Sequence, residues 1–262
     1  MAVYRSKLRW SQSRWQRDPA AGFSLIEVLV VIAVLGVLIG ILVPVLAGAR
    51  SAGGQTVTLS NLRQLGLTMA DYNKTYKQAY PWAPEATEFL LSPPGTLPRA
   101  SITSPDYWAL GIFWPALLHD IAPWPEHYAS WVGPGGLDAD KAPWFRGGQD
   151  LDSFGVPSYR LSHTFFARPE LWAPATQDNP SFYRPVFVRD VAHPSSKAMF
   201  WDAEQTHLRN MRDADRDPRA ILFADGHVDV KRLSEAASPP SIPFKDTRPL
   251  QDTLDGARGR DY

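Results

Sequence analysis

Residues 23–49 read FSLIEVLVVIAVLGVLIGILVPVLAGA, and the twenty residues from Val28 to Ala47 carry no charge. At about 1.5 Å per residue, a helix of that length spans about 30 Å, the thickness of a bilayer hydrocarbon core. A run so rich in Val, Ile and Leu reads as a membrane-spanning helix rather than as a core helix of a soluble domain. Five basic residues, Arg5, Lys7, Arg9, Arg14 and Arg17, precede it, against the single acid Asp18. The positive-inside rule keeps that flank cytoplasmic and places the rest of the chain outside the cytoplasmic (inner) membrane. One residue breaks the pattern: Glu27 stands at the start of the apolar run.

The arrangement is not that of a secretory signal, whose short apolar stretch precedes an A-x-A-like cleavage site. Here the polar leader ends at Ala20-Ala21-Gly22 and the apolar run follows it. A cut after Gly22 removes the leader and leaves the membrane helix on the mature protein, with Phe23 as its first residue and Glu27 as its fifth. Glycine before the scissile bond presents no side chain to a protease cleft.

Gly22, Phe23, Ser24, Leu25, Ile26 and Glu27 match, without a gap, the prepilin-type cleavage and methylation motif. The N-terminus thus resembles that of type IV pilins and of the pseudopilins of type II secretion. The resemblance implies cleavage between Gly22 and Phe23 by a membrane prepilin peptidase, and N-methylation of Phe23. It also implies assembly with other pilin-like subunits on an inner-membrane platform. Pro44 falls where pilins commonly carry a helix-perturbing proline.

A carboxylate in hydrocarbon costs roughly 2.5–3.5 kcal/mol on insertion scales. Cleavage creates an α-ammonium on Phe23, and in a helical filament Glu27 of one subunit can meet the ammonium of its neighbour. Methylation retains that charge. For an isolated subunit the alternative is that Glu27 snorkels to the interface. Gly36 and Gly40 form a small-xxx-small face on which helices can approach, or reflect ordinary membrane-helix composition.

Beyond Ala49 the periodicity changes. Leu59, Leu62, Leu65, Met69, Tyr72 and Tyr76 recur at spacings of three and four, one face of an amphipathic helix. Gly53-Gly54 is expected to loosen the joint between the two helical halves. The segment resembles the second half of the long pilin helix, which packs on a β-sheet. Residues 79–200 are rich in Pro and Trp, which predicts loops and short elements, with one helix over Ile112–Ile121. The tryptophans (Trp82, Trp108, Trp114, Trp124, Trp131, Trp144 and Trp172) suit either core packing or stacking on sugar rings. Ala198–Trp201 and Ala220–Phe223 read as buried strands, and Asp225-Gly226 as the turn into His227–Val230. Beyond Arg232 the Pro- and charge-rich composition predicts a poorly ordered tail.

The expected fold class is therefore α+β: a long N-terminal helix on a small antiparallel sheet with long Pro/Trp-rich loops. The expected divisions are a leader (1–22), a membrane helix (23–49), its amphipathic continuation (50–78), a head (79–232) and a tail (233–262). Without the leader the chain holds 22 basic and 26 acidic residues. That balance opposes nucleic-acid binding, which needs a basic surface. With no cysteine, disulfides and thiolate metal sites are excluded, and the head must rest on its core.

The segments Ser158–Phe166, His193–Asp202 and Ile221–Val230 resemble a pseudopilin-like subfamily that carries an H-x9-DG signature. Asp225 and Gly226 match its DG, whereas Asp215 occupies the histidine position and the nearest upstream histidine is His207. Asp202, Asp225 and His227, with Glu204 and His207, would form a metal site if the strands bring them together, and calcium is the ion the pseudopilin resemblance suggests. His119, His127, His163 and His193 stand alone in the sequence and read as structural or surface residues. No nucleophile elbow, phosphate loop or zinc-protease helix is present, so the expectation is a structural subunit and not an enzyme. Two rivals follow from the same residues. One is a membrane-anchored module that binds a glycan or secreted substrate. The other is a metal-dependent hydrolase built on Asp202, Asp225 and His227.

Overall fold

The computed structural model describes residues 24–82, 110–118, 120–134, 157–174, 176–177, 179–202, 218–243 and 247–262. It divides into two compact units, residues 1–47 and 48–262. One helix, α1 (Leu25–Thr75), contributes to both and runs without a break through Pro44 and the Gly53-Gly54 pair. Neither the proline nor the glycines ends it, although Pro44 leaves one backbone carbonyl without its helical donor. In the first unit every described helical residue is exposed, including Leu29, Ile32, Leu38 and Leu42. The helix is long and apolar enough to cross a membrane.

Within the second unit α1 buries Leu62, Leu65, Met69 and Tyr72. Leu59 is partly buried against the same core. Tyr76 does not complete the face: it is exposed and stacks on Tyr72, with ring centroids 4.4 Å apart. The helix approaches the sheet closely at Gly66, where a Cβ would stand 3.1 Å from Leu222 Cδ1. Its end is closed by the Gln78 N–H, which donates to the Asn73 carbonyl at 2.6 Å. This six-to-one closure is Schellman-like and requires a left-handed residue, here Lys77 at φ 55°, followed by Gln78 at φ 66°. Glycine takes such a φ without the Cβ penalty. Lys77→Gly is expected to raise stability by up to about 1 kcal/mol, read as a higher thermal midpoint; a lower midpoint would show that the lysine is not strained there.

The sheet is an antiparallel meander in the order β1 (Tyr159–Leu161), β2 (Ala198–Asp202), β3 (Pro218–Phe223) and β4 (Val228–Arg232). Alternation along β3 sends Ala220 and Leu222 to the face that carries Leu62, Leu65 and Met69 of α1. Ile221 and Phe223 turn to the other face, with Ala198 and Trp201 of β2. Both faces are covered, so every residue of β2 is buried. The expected hairpin is present, with Gly226 at φ 90° and the Phe223 N–H donating to the His227 carbonyl at 2.9 Å.

The second face is covered by the C-terminal segment, and this corrects the expectation of a poorly ordered tail. Residues 247–262 form a strap in which Leu250, Asp252, Thr253, Ala257 and Asp261 are buried. Leu250 joins the Ile221/Phe223 cluster, with Tyr262 packed against it. Two of the strap's carboxylates are paired inside the head: Asp261 lies 3.1 Å from Lys197 and Asp252 lies 3.2 Å from His163. Composition predicted poor packing because it registers charge but not the partner that neutralises it.

Among the described residues of the loop region are two α-helices, α2 (Leu110–Leu117) and α3 (Trp124–Trp131), in place of the single one expected over Ile112–Ile121. Pro123 directly precedes α3, at a helix start where its missing N–H costs nothing. Trp114 of α2 is fully buried; its indole N–H donates to the Tyr159 carbonyl at 2.7 Å, and its ring meets Trp131 and Phe200 edge-on.

Candidate functional site

The site at the N-terminus rests on a local capping arrangement. Ser24 precedes the first helical residue, and Glu27 occupies the third position of the first turn. The Glu27 Oε2 accepts the Ser24 backbone N–H at 2.7 Å and the Ser24 hydroxyl at 2.9 Å. The Ser24 Oγ in turn accepts the Glu27 N–H at 3.3 Å. This reciprocal pairing is a capping box, in which a Ser-x-x-Glu sequence satisfies orphan donors at both positions. It also places the carboxylate at the positive end of the helix, where an anion is favoured. Reading the run for hydropathy alone misses this signal, although Ser24-Leu25-Ile26-Glu27 states it in the sequence.

Glu27 thus folds back along its own chain toward Ser24, the residue that follows Phe23. Gly22 and Phe23 themselves lie outside the described residues. The rest of this helical unit presents aliphatic side chains outward: Val28 through Val45 include thirteen Val, Leu or Ile residues more than half exposed. Gly36 and Gly40 have no atom within 4 Å of a built Cβ, so their face is open for another helix.

Among the described residues, those of the second expected site do not come together. The β2–β3 register pairs Ala198 with Phe223 and Trp201 with Ile221, while Asp202 sits opposite Tyr159 on β1. Asp202 and the Asp225 turn therefore lie at opposite ends of β2, about 13 Å apart along the strand. Asp202 is buried, and its backbone carbonyl accepts a bond from Arg219 at 3.0 Å. At the turn, Asp225 Oδ1 accepts the His227 backbone N–H at 3.1 Å and lies 2.6 Å from His227 Nδ1. The His227 ring stacks on Phe223 at 4.3 Å. The Asp225 carboxylate thus organises the turn. Among the described residues no group of three or more His, Asp or Glu side chains is placed to hold a metal; Glu204, His207 and Asp215 lie outside them.

The solitary histidines divide. His163 is buried, with Nδ1 3.2 Å from Asp252 and Nε2 2.8 Å from the Gln251 amide. His193 is half-buried and His127 stacks on Trp131, while His119 is outside the described residues. The tryptophans Trp114, Trp131, Trp172 and Trp201 are buried and offer no ring face to a sugar. Trp82 is half-buried, and Trp108 and Trp144 lie outside the described residues, as does the Trp124 side chain.

With that geometry in place, residues 17–43 match the prokaryotic N-terminal methylation motif. The matched segment runs from the basic leader, across the Gly22–Phe23 bond and the capping box, into the apolar part of α1. The chain therefore carries a prepilin-type methylation motif followed by a long apolar helix, an arrangement consistent with a type IV pilin-like protein processed by a prepilin peptidase and anchored in a membrane. No curated protein and no solved structure matches the chain.

Proposed function

We propose that the protein is a structural subunit which, once cut between Gly22 and Phe23 and methylated on Phe23, assembles into a pilus or a type II secretion-like pseudopilus. The observation that carries this reading is a Glu27 carboxylate, pre-positioned by Ser24, at the start of an exposed apolar helix inside a methylation motif. In a filament the helices of neighbouring subunits cover the aliphatic surface, and Glu27 exchanges its hydrogen bonds to Ser24 for a neighbour's ammonium. The partners are the prepilin peptidase and methylase, other pilin-like subunits, the inner-membrane assembly platform and membrane lipid. The basic leader faces the cytoplasm and the head lies outside the membrane.

Glu27→Gln tests the charge pairing, because it keeps shape and hydrogen-bonding capacity while removing the charge. The variant is expected to be cleaved normally. Its recovery in sheared or co-purified filaments should fall by about tenfold or more, as loss of an ion pair worth over about 1.4 kcal/mol requires. Filaments containing the variant at wild-type abundance would defeat the pairing.

A further inference from the structure

Lys197 directly precedes β2, and its side chain is completely buried. Its Nζ donates to Thr253 Oγ1 at 2.6 Å and lies 3.1 Å from Asp261 Oδ2. The Thr253 hydroxyl donates to the other carboxylate oxygen, Asp261 Oδ1. Oδ2 accepts the Ala198 backbone N–H at 2.8 Å. An amine, a carboxyl group, a hydroxyl touching both and an amide N–H on one carboxyl oxygen are thus held together away from water.

A buried ion pair is seldom more stabilising than apolar residues of the same volume, so this grouping invites a chemical role. From its geometry we infer that Lys197 Nζ and Asp261 Cγ join in an amide cross-link. The Thr253 hydroxyl relays the proton and the Ala198 N–H supports the developing oxyanion. A proton first passes from the ammonium through the Thr253 hydroxyl to Oδ1, giving a neutral amine and a neutral acid. Burial favours that form: it pulls the Lys197 ammonium below its ordinary value, against the opposing attraction of Asp261 and Asp252. The amine then attacks Cγ, forming the N–C bond, while negative charge collects on Oδ2 under the Ala198 N–H. A second amine proton reaches Oδ1, the Cγ–Oδ1 bond breaks, and water leaves. Oδ2 remains as the amide oxygen. Nothing is oxidised or reduced, and fixed proximity supplies the driving geometry. The product would tie the strap covalently to the sheet in a chain without cysteine.

Mass spectrometry of the purified full chain tests this whatever its N-terminus, and so independently of processing or filament assembly. The protein is expected to be lighter by one water than its own sequence requires. Trypsin should fail to cut after Lys197 and should leave Asp261-Tyr262 as a branch on that lysine. Asp261→Ala should regain the full mass of its sequence, and Asp261→Asn should lose one ammonia in place of water. If either variant fails to fold, the wild-type digest still decides the matter. A wild-type chain at full mass, cut normally after Lys197, overturns the cross-link and leaves a buried ion pair.

Discussion

Gly22→Leu is expected to abolish maturation: membrane-extracted protein should retain its basic leader, whereas the wild type should begin at N-methyl-phenylalanine 23. The peptide ahead of a scissile bond must enter a protease cleft in extended form, and a glycine there removes both the side chain and the backbone restriction. A branched leucine restores both. The effect should be confined to processing, because position 22 precedes the capping box and the helix begins at Leu25. The leader-bearing variant should therefore still enter the membrane, since the apolar run is intact. Intact mass and N-terminal sequencing provide the readout, in cells with an active prepilin peptidase. Wild-type protein that keeps its leader in such cells would remove the basis of the filament reading, and a cleaved Gly22→Leu would show that the glycine is dispensable.

The largest effect on stability is expected at Trp114. Trp114→Ala should cost about 3–5 kcal/mol, through lost apolar burial and the cavity left behind. The indole touches three parts of the head: its N–H reaches the Tyr159 carbonyl on β1, and its ring packs edge-on against Trp131 of α3 and Phe200 of β2. Trp114→Phe retains much of the ring contact but loses the hydrogen bond, so it should cost less, about 1–3 kcal/mol. Leu67, on the exposed side of α1, is the control, and Leu67→Ala should stay within about 0.5 kcal/mol of wild type. Denaturant unfolding of detergent-solubilised protein, followed by circular dichroism, measures all three. Equal midpoints for Trp114→Ala and Leu67→Ala would mean that the indole is not a keystone of the head.

What could be read in advance follows the range over which each signal acts. The uncharged run and the stripe through Leu62, Leu65, Met69 and Tyr72 repeat over many residues, so both halves of α1 were legible. The central strands were legible as compact apolar runs, and the Asp225-Gly226 turn because few residues accept its backbone. Strand β1 spans only Tyr159–Leu161 and takes its place from pairing with β2, which no three-residue window contains. The strap was misread for a related reason. Asp252 and Asp261 look like solvent-facing acids until His163 and Lys197, 89 and 64 positions earlier, are brought beside them by the fold. Of the expected metal grouping, Asp202 ends β2 and Asp225 follows β3, so antiparallel pairing puts these two at opposite strand ends. At the candidate processing site the reverse holds, since each residue of the motif is contiguous in sequence.

The strap also bears on how the head is made. The ribosome produces β2, β3 and β4 before residues 247–262, so Ile221, Phe223 and Trp201 wait with one face bare and Lys197 waits without its counter-charge. A nascent chain stalled between those stages would display a sticky, half-covered sheet to chaperones and proteases. Completion of the head is thus timed by the emergence of its last covering segment, and quality control has a defined interval in which to act.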